Sequence, residues 1–420
     1  MKKAVVYGLG GVIIVGAALW VGGHAYSAHR FDQELTRQVE QINAADNGMT
    51  MDVADRHDGW FTSTGVLNVR YQPDAQATPL NLQAPWTAHH GLLSTGLDGT
   101  LDARTGADAP WVLADILADG KKAHFDATLK HFDQSGRAEL EMPDMKADTG
   151  LQMMNINGLT IRADYTDASV NATADLAGLE YRDAQGAMTA GASRFVMDQK
   201  GPRDNPDHQK YHMTSDGLTL SASQLMPVTI GALEFSGEAV RDNDQWNQHS
   251  SGSLKGIEAS GQALGDIAFE STLDGLDATA WQAIAAIGNE HPEWFEDTDA
   301  ITSQRTLTAI SPHVLKLLAP SPVFTLKTLS LESPMVKEPV DMTGRLTFDG
   351  QGIDTMPADA LTTPQGQDAL INRLNGTFTL NHAPPLVALF AGLSPDQQTL
   401  VFRIDQGIVT VNDQRLMRLN

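Results

Sequence analysis

The sequence contains no cysteine among its 420 residues. This absence excludes thiol nucleophiles, disulfide bonds and metal sites built from thiolates. An exported domain of this length can still bury enough apolar surface to do without disulfides. The lack of cysteine is therefore compatible with the cell envelope, although it does not by itself indicate a compartment.

Positive charge is scarce. The chain has 29 Lys and Arg residues against 52 Asp and Glu residues, which gives a formal net charge of -23. Proteins that bind nucleic acids or anionic lipid surfaces through charge concentrate Lys and Arg at the contact, where they replace counterions. The composition therefore argues against both kinds of binding, and we interpret the excess carboxylates as a solvated surface.

Catalytic motifs are also missing. The stretch nearest to the G-x-S-x-G elbow of serine hydrolases starts at Gly191 and lacks the second glycine. "DGKKAH" supplies only Gly120 and Lys121 of a phosphate-binding loop, and H-E-x-x-H does not occur. The sequence therefore predicts no catalytic residue, cofactor or metal.

Two histidine pairs keep a hydrolase open as the alternative function. His208 and His212 have the four-residue spacing of zinc ligands on a helix, but their Pro- and Asp-rich surroundings indicate a loop that runs into a strand. His89 and His90 are adjacent, so on a strand they point to opposite faces. We interpret all four as exposed polar residues near turns, whereas a hydrolase needs them to converge with carboxylates in one pocket.

A long uncharged run opens the chain. Residues 4–23 contain no charged side chain, and a helix of about 20 residues spans roughly the 30 Å hydrocarbon core of a bilayer. Lys2 and Lys3 precede the run, which predicts a cytoplasmic N-terminus and an exported remainder. Residues 1–23 are therefore expected to be a transmembrane anchor. Ala25 and Ser27 leave open the alternative, which is cleavage of a secretory signal.

Residues 24–47 predict a short juxtamembrane helix. Apolar side chains recur three or four positions apart, the spacing of one helix face, at Phe31, Leu35, Val39 and Ile42. We expect this face to pack on the domain that follows. A dimerising helix is the alternative, so a homo-oligomer stays open.

The remaining chain predicts a mainly β fold with inserted helices. Between residues 48 and 272, period-two segments such as "GVLNVRY", "AHFDATLKHF" and "GLTIRADY" alternate with Gly, Asp, Asn and Pro clusters, as in half-buried antiparallel strands. Residues 273–420 mix further strands with helices, the first capped by Asp277 and ended by Gly288. "SPHVLKLLAP" and "GQDALINRLNG" indicate short helices bounded by Pro or Gly. We therefore expect a large, mostly antiparallel and curved sheet, with a second, mixed region packed on it.

An apolar segment lies near the C-terminus. "APPLVALFAGL" carries Leu386, Val387, Leu389, Phe390 and Leu393 after a double proline. The segment is too short to cross a bilayer. Burial in the domain core is one interpretation, and a helix that lines an apolar groove or contacts the membrane surface is the other.

Several stretches carry a family resemblance. "RHDGWFTSTGVLNVRY", the later "LTFDG" and the closing "DQGIVTVNDQ", together with the N-terminal run, resemble the YdgA-like proteins, a proteobacterial family of unknown function. The shared positions are Gly59, Trp60, Phe61, Gly407, Val409, Val411 and Asn412. The resemblance implies an inner-membrane protein with its bulk in the periplasm, and it carries over no catalytic residue. We interpret Trp60 and Phe61 as a buried aromatic anchor, and Asn412 and Asp413 as compatible with a tight turn.

The sequence therefore predicts a membrane-anchored binding or scaffold protein of the cell envelope, without catalytic chemistry. Its expected partners are the bilayer and either a lipid ligand or an envelope protein, and no nucleic acid. The lipid prediction rests on an analogy at the level of fold, since a sheet with an open apolar face beside a membrane would shelter acyl chains. The alternative is a periplasmic hydrolase that uses carboxylate or histidine residues.

Overall fold

The computed structural model describes residues 35–419 with gaps at 37–38, 41, 45–47, 60, 73–77, 92–93, 107–116, 118–119, 131–134, 149–151, 203–205, 223–224 and 292–299. The predicted anchor, Phe31 and Trp60 lie outside the described residues. None of the helices within the described ranges combines the length and the apolar character that a membrane crossing requires.

The chain divides into two compact units, one formed by residues 1–204 with 221–223 and the other by residues 205–220 and 224–420. The first unit contains the strands β1 (Met49–His57), β2 (Thr62–Tyr71), β3 (Leu80–His90), β4 (Ser94–Thr105), β5 (Ala123–Lys130), β6 (Ser135–Met142), β7 (Met145–Asp148), β8 (Met153–Thr166), β9 (Ser169–Arg182), β10 (Gly186–Ala190) and β11 (Ser193–Lys200). Every pairing between them is antiparallel, and the order β1-β2-β3-β4-β5-β6-β8-β9 is an uninterrupted meander. β7 continues β6 along β8, and β10 and β11 share the far side of β9.

The first unit buries one face of this meander. Along β5 the burial alternates strictly, with Phe125 and Leu129 inside and Asp126 and Lys130 outside. Such alternation is what a sheet with one covered and one solvated face requires, because successive side chains point to opposite sides. The strands predicted from period-two patterns are therefore confirmed as antiparallel, and a single buried cluster extends from Met51 to Val170.

The segment before β1 packs on that buried face. Residues 35–36, 39–40 and 42–44 are helical, and Leu35, Val39 and Ile42 lie against the core. The Asn43 side-chain amide donates to the carbonyl of Met51 at 2.8 Å, and its oxygen accepts from the Met51 N–H at 2.7 Å. The apolar helix face predicted from the residue spacing is therefore the face that contacts the domain.

Glycines face aromatic rings across neighbouring strands of the first unit. Gly99 lies directly opposite Phe125, and a Cβ built on Gly99 would come within 2.3 Å of the Phe125 ring. Gly136 lies opposite Tyr165, and a Cβ built on Gly136 would come within 2.3 Å of the Tyr165 side chain. Gly65 lies opposite Trp86, and its Cβ would come within 2.7 Å of the Trp86 ring. Each ring therefore occupies the space above a glycine, where any larger residue would collide with it.

The second unit is a further antiparallel sheet with helices. Its strands are β12 (His208–Ser215), β14 (Leu225–Ile230), β15 (Ala232–Asp242), β16 (Gln245–Ala259), β17 (Gln262–Asp277), β18 (Val323–Glu332), β19 (Val340–Phe348), β20 (Leu374–Asn381), β21 (Leu400–Asp405), β22 (Ile408–Val411) and β23 (Gln414–Arg418); residues of β13 (Leu218–Ala222) belong to both units. The pairing order is β12-β15-β16-β17-β18-β19-β20-β21-β22-β23, and β14 adds to β16 beyond the end of β15. The predicted domain boundary at 272–273 falls within β17 and stays a prediction.

The helices of the second unit are α1 (Ala278–Glu290), α2 (Ala300–Leu318), α3 (Pro364–Ile371) and α4 (Pro385–Phe390), with 3-10 turns η1 (Ile353–Thr355) and η2 (Ala360–Thr362). Asp277 caps α1 as predicted, since its carboxylate accepts from the Ala280 N–H at 2.7 Å. The predicted end at Gly288 is wrong, because α1 continues to Glu290. The predicted helix boundary at Pro312 is also wrong, because Pro312 lies inside α2, where packing of Leu315 outweighs the lost backbone hydrogen bond.

Replacing Gly99 by Ala is expected to destabilise the first unit by about 1–3 kcal/mol, because the added methyl group would overlap the Phe125 ring and the Pro85 carbonyl. Gly96→Ala, in the same strand, is the matched control, since its Cβ would meet nothing within 4 Å. Urea unfolding of the two variants measures the difference. If Gly99→Ala and Gly96→Ala had the same free energy of unfolding, the packing of the Phe125 ring would not require a glycine at position 99.

The stability of the first unit is also expected to depend on Glu139. Its carboxylate accepts from Arg162 at 2.8 Å and lies 3.3 Å from Arg137, and the hydrogen bond from Arg162 lowers the pKa of Glu139 below 4.5 despite its partial burial. Because the pKa of Glu139 is lower in the folded state, its carboxylate contributes to the free energy of unfolding. This contribution is complete above the unfolded-state pKa and is lost as the pH falls through the folded-state pKa.

The Glu139→Gln variant should therefore unfold at a lower temperature than the wild type near neutral pH, and the two curves should converge at the acid end. Thermal unfolding across a pH series checks this. Glu141→Gln, two positions along the same strand and exposed, is the control and should shift less. If the difference in unfolding temperature between the wild type and Glu139→Gln stayed the same at acid pH, the stabilisation could not come from the ionised Glu139 carboxylate.

Candidate functional site

The central part of the sheet in the second unit sorts its side chains by face. The pairing register aligns Met213 with Phe235, then Gly252, Phe269 and Leu329, and onward to Met342, Leu380 and Leu400. The rows two residues away on the same side are uncharged. One contains Leu233, Leu254, Ile267 and Leu331, and the other contains Tyr211 and Leu326 together with Ser250 and Ser271. We call the central part of this side the apolar face, defined by Tyr211, Met213, Leu233, Phe235, Leu254, Ile267, Phe269, Leu326, Leu329, Leu331 and Met342.

A bulge in β18 keeps the face apolar. Strict alternation would place Leu326 and Leu329 on opposite sides, since they are three residues apart. The register shifts between these two residues, so that both lie on the apolar face. Lys327, within the bulge, bonds to Glu270 at 2.9 Å. The bulge therefore shifts the strand so that Leu326, Leu329 and Leu331 share one side.

The apolar face is partly open to solvent, since three of its eleven residues are exposed and the other eight are half-buried. None of its eleven residues belongs to a buried cluster of the described chain, and Tyr211, Met213 and Leu329 are 37–38 % exposed. In the first unit, by contrast, Phe125 is 1 % exposed. The second unit thus presents, across several strands, apolar side chains that are exposed or half-buried and belong to no buried cluster of the described residues. Contiguous apolar surface of this kind marks a binding surface.

Helices border this open area. Trp246 and Leu276, at one end of their strands, pack against Ala278 of α1 and Leu317 of α2. Over β20–β22, Ala388 of α4 packs against Leu400 and Val411. The apolar face therefore has a wall along two margins, which gives it the form of a groove with a sheet as its floor.

Glycines flatten the floor of the groove. A Cβ at Gly237 would come within 2.3 Å of the Tyr211 ring, and one at Gly252 within 2.6 Å of Phe269 and 3.0 Å of Phe235. The rings of Phe235 and Phe269 flank Gly252 with centroids 5.7 Å apart and planes inclined at 56°. The glycines therefore leave room on the floor for the aromatic rings of the neighbouring strands.

A few uncharged polar groups interrupt the floor. Gln248 and Ser250 follow each other on the groove side of β16, and the Gln248 amide donates to the Ser250 hydroxyl at 3.1 Å. Ser271 lies opposite Ser250. The indole N–H of Trp246 is buried and has no acceptor among the described residues. The groove side therefore carries the neutral hydrogen-bonding side chains of Gln248, Ser250 and Ser271 at one end, whereas the Trp246 N–H is buried.

Charged groups lie on the opposite face of the sheet. His208 pairs with Glu238 at 2.7 Å and lowers the pKa of that carboxyl, while Lys327 does the same to Glu270. His212 lies 3.8 Å from Glu234. His208 and His212 thus occupy one side of a strand, each with its own carboxylate.

The other predicted histidines belong to the first unit. His89 contacts Asp98 at 3.1 Å, and the ring of His90 shares a hydrogen bond with the Ser63 hydroxyl at 2.8 Å. In the described part of the chain no three His, Asp or Glu side chains are placed to hold a metal ion. Each histidine has a separate partner, and the hydrolase alternative stays a prediction.

The predicted C-terminal residues are exposed on α4. Leu386, Leu389 and Phe390 are 62 %, 54 % and 81 % exposed, and Val387 is 37 % exposed. Ala383, Ala388 and Leu393 are the buried residues of the segment. Burial of the whole segment in the core, the first interpretation of the sequence, is therefore wrong for these four side chains. Since every position of the segment is apolar, its sequence pattern could not show which side would be covered.

The family-motif residues have structural positions. Gly407 and Asn412 lie in two-residue turns with positive φ, at 75° and 46°, and the Asn412 side chain also accepts from the Val401 N–H at 2.8 Å. Gly59 has no room for a Cβ, which would approach the Thr62 carbonyl to 2.5 Å. The prediction that Phe61 is buried is wrong. It is 79 % exposed, because the core row of β2 begins only at Ser63.

Sequence reasoning missed the residues of the apolar face. The sequence predicts strands in this region. A strand whose apolar side is buried and a strand whose apolar side is uncovered, however, show the same alternation of apolar and polar residues. Two signals pointed to them: "VFTLKTLSLE", where the apolar period is interrupted once, and glycines such as Gly252 that face aromatic residues across the ladder.

The comparisons with known proteins identify a family. No curated protein and no solved structure matches this chain. The family profile DUF945, described as a bacterial protein of unknown function, matches residues 1–401. Because that match extends over nearly the entire sequence, the chain belongs to the DUF945 family of bacterial proteins.

Proposed function

We propose that this protein is a membrane-anchored binding protein of the cell envelope that shelters the acyl chain of a lipid on its apolar face, without catalytic chemistry. The open, continuous apolar floor between β12 and β19 is the observation that carries the proposal. The uncharged run at residues 4–23 supports a tether beside a bilayer. The YdgA-like resemblance supports an inner-membrane location with the bulk of the chain in the periplasm.

The dimensions of the floor fit an acyl chain. The uncovered part of the row, from Met213 to Met342, crosses six strands, and at about 4.8 Å between neighbours it is roughly 24 Å long. One leaflet of a bilayer contributes about half of a hydrocarbon core of roughly 30 Å. A single acyl chain that lies across the strands would therefore fit within the row.

The chemistry of the floor also favours an acyl chain. No charged side chain lies among the eleven residues of the apolar face. Each methylene removed from water contributes about 0.8 kcal/mol, so a chain that is covered on one side by the floor still gains several kcal/mol. Gln248 and Ser250 would supply neutral donors to ester oxygens at the end of such a chain.

A charge placed on the apolar face should abolish lipid binding. Met342→Glu introduces a carboxylate between Leu329 and Leu380, where it would lose its hydration on contact with an acyl chain. The matched control is Thr343→Glu, whose side chain is exposed on the opposite face of the same strand. Lipid that co-purifies with the full chain, quantified per protein by mass spectrometry, should fall at least several-fold in Met342→Glu and stay at the wild-type level in Thr343→Glu.

Thermal unfolding of both variants confirms that each is folded. Two results would contradict the proposal: wild-type protein that is free of lipid after gentle extraction, and a Met342→Glu variant that retains as much lipid as the wild type.

A further inference from the structure

The exposed part of α4 has a second role that rests on the proposed function. We propose that the tip, defined as Leu386, Val387, Leu389 and Phe390, inserts into the surface of a lipid bilayer and is the point at which lipid reaches the apolar face. The same helix packs against the margin of that face, and its outward side chains are among the most exposed large apolar residues of the described chain.

The base of the tip is firmly held. Ala388 is fully buried against Leu400 and Val411, and the helix starts at Pro385 with its fixed φ. The Ala383 N–H donates to the Gln398 carbonyl at 2.8 Å, which closes the loop that carries the helix. Because the base is buried and bonded, the apolar side chains project from a defined position and not from a frayed end.

The absence of charge favours a bilayer as the occupant. Residues 383–395 contain no charged side chain, in a protein whose net charge is -23 and in which 19 % of residues are charged. A protein partner of ordinary composition would not require this, because protein interfaces have polar and charged rims. Insertion below lipid headgroups does require it, since each ionised group carried into that region loses hydration. The contact therefore works by apolar insertion, without the basic residues that binding through charge needs.

Continuity with the groove also favours a bilayer. Leu380 and Phe402 pack against the base of the tip, and Leu380 lies in the same row as Met342, Leu329 and Phe269. An acyl chain that leaves the bilayer beside the tip would therefore move onto the apolar face along an uninterrupted apolar row. If a second copy of the chain covered the tip instead, it would block this path to the apolar face.

The lack of cysteine permits a clean test. In Phe390→Cys a fluorophore attached at position 390 is the only label on the chain, and Gln397→Cys, exposed in the same loop, is the matched control. The full chain is reconstituted into vesicles of phosphatidylcholine and phosphatidylethanolamine, part of which carry a nitroxide quencher on the acyl chain. The label at 390 is expected to be quenched several-fold more strongly than the label at 397. Equal, weak quenching at both positions would overturn the proposal, as would crosslinking of two chains through position 390.

A second variant separates this inference from the proposed function. Met342→Glu combined with the label at 390 should keep the quenching while the co-purifying lipid falls. A chain that binds lipid but shows no quenching at 390 would reject the bilayer contact of the tip and leave lipid binding intact. Thermal unfolding of Phe390→Cys provides the check that the label has not disturbed the base of the helix.

Discussion

The whole architecture depends on keeping every strand in a register that places its apolar residues on one side. A slip by one residue would turn each apolar set to the other face. Both units obey this constraint, and β18 shows how it is maintained where the sequence breaks the period: the register shifts between Leu326 and Leu329, so that both remain on the groove side. The open apolar face is thus a product of pairing, and it exists only while all of its strands keep their alignment.

Glycine opposite an aromatic ring recurs in both units with different results. In the first unit Phe125 lies over Gly99 and is part of a buried core, whereas in the second Phe269 lies over Gly252 on an open floor. The local interaction is the same, since the missing Cβ lets the ring approach the backbone. The two rings differ in how far they are covered: Phe125 is buried, whereas Phe269 is only half-buried. The covering element, and not the strand chemistry, therefore separates a core from a binding surface.

The sequence predicted local elements better than their surroundings. "AHFDATLK" alternates and forms β5, and Asp277 caps a helix, because both effects act within a few residues. Phe61 and the α4 residues were misjudged because burial depends on which distant element covers a side chain, and an apolar residue looks the same in either case. Pro312 predicts a helix boundary because the cost of its missing N–H is visible in the sequence, whereas the packing around it is not.

The distribution of charge joins the fold to the proposed function. A chain with a net charge of -23 is repelled by an anionic bilayer, so it would approach one only if tethered or if the contacting part carried no charge. The pairing register places Glu234, Glu238 and Glu270 on the face of the sheet opposite the groove, and residues 383–395 are uncharged. Negative charge therefore keeps one side soluble, while the other side remains apolar up to the helix tip. In the proposed function, this separation would keep an acyl chain on the apolar face away from Glu234, Glu238 and Glu270.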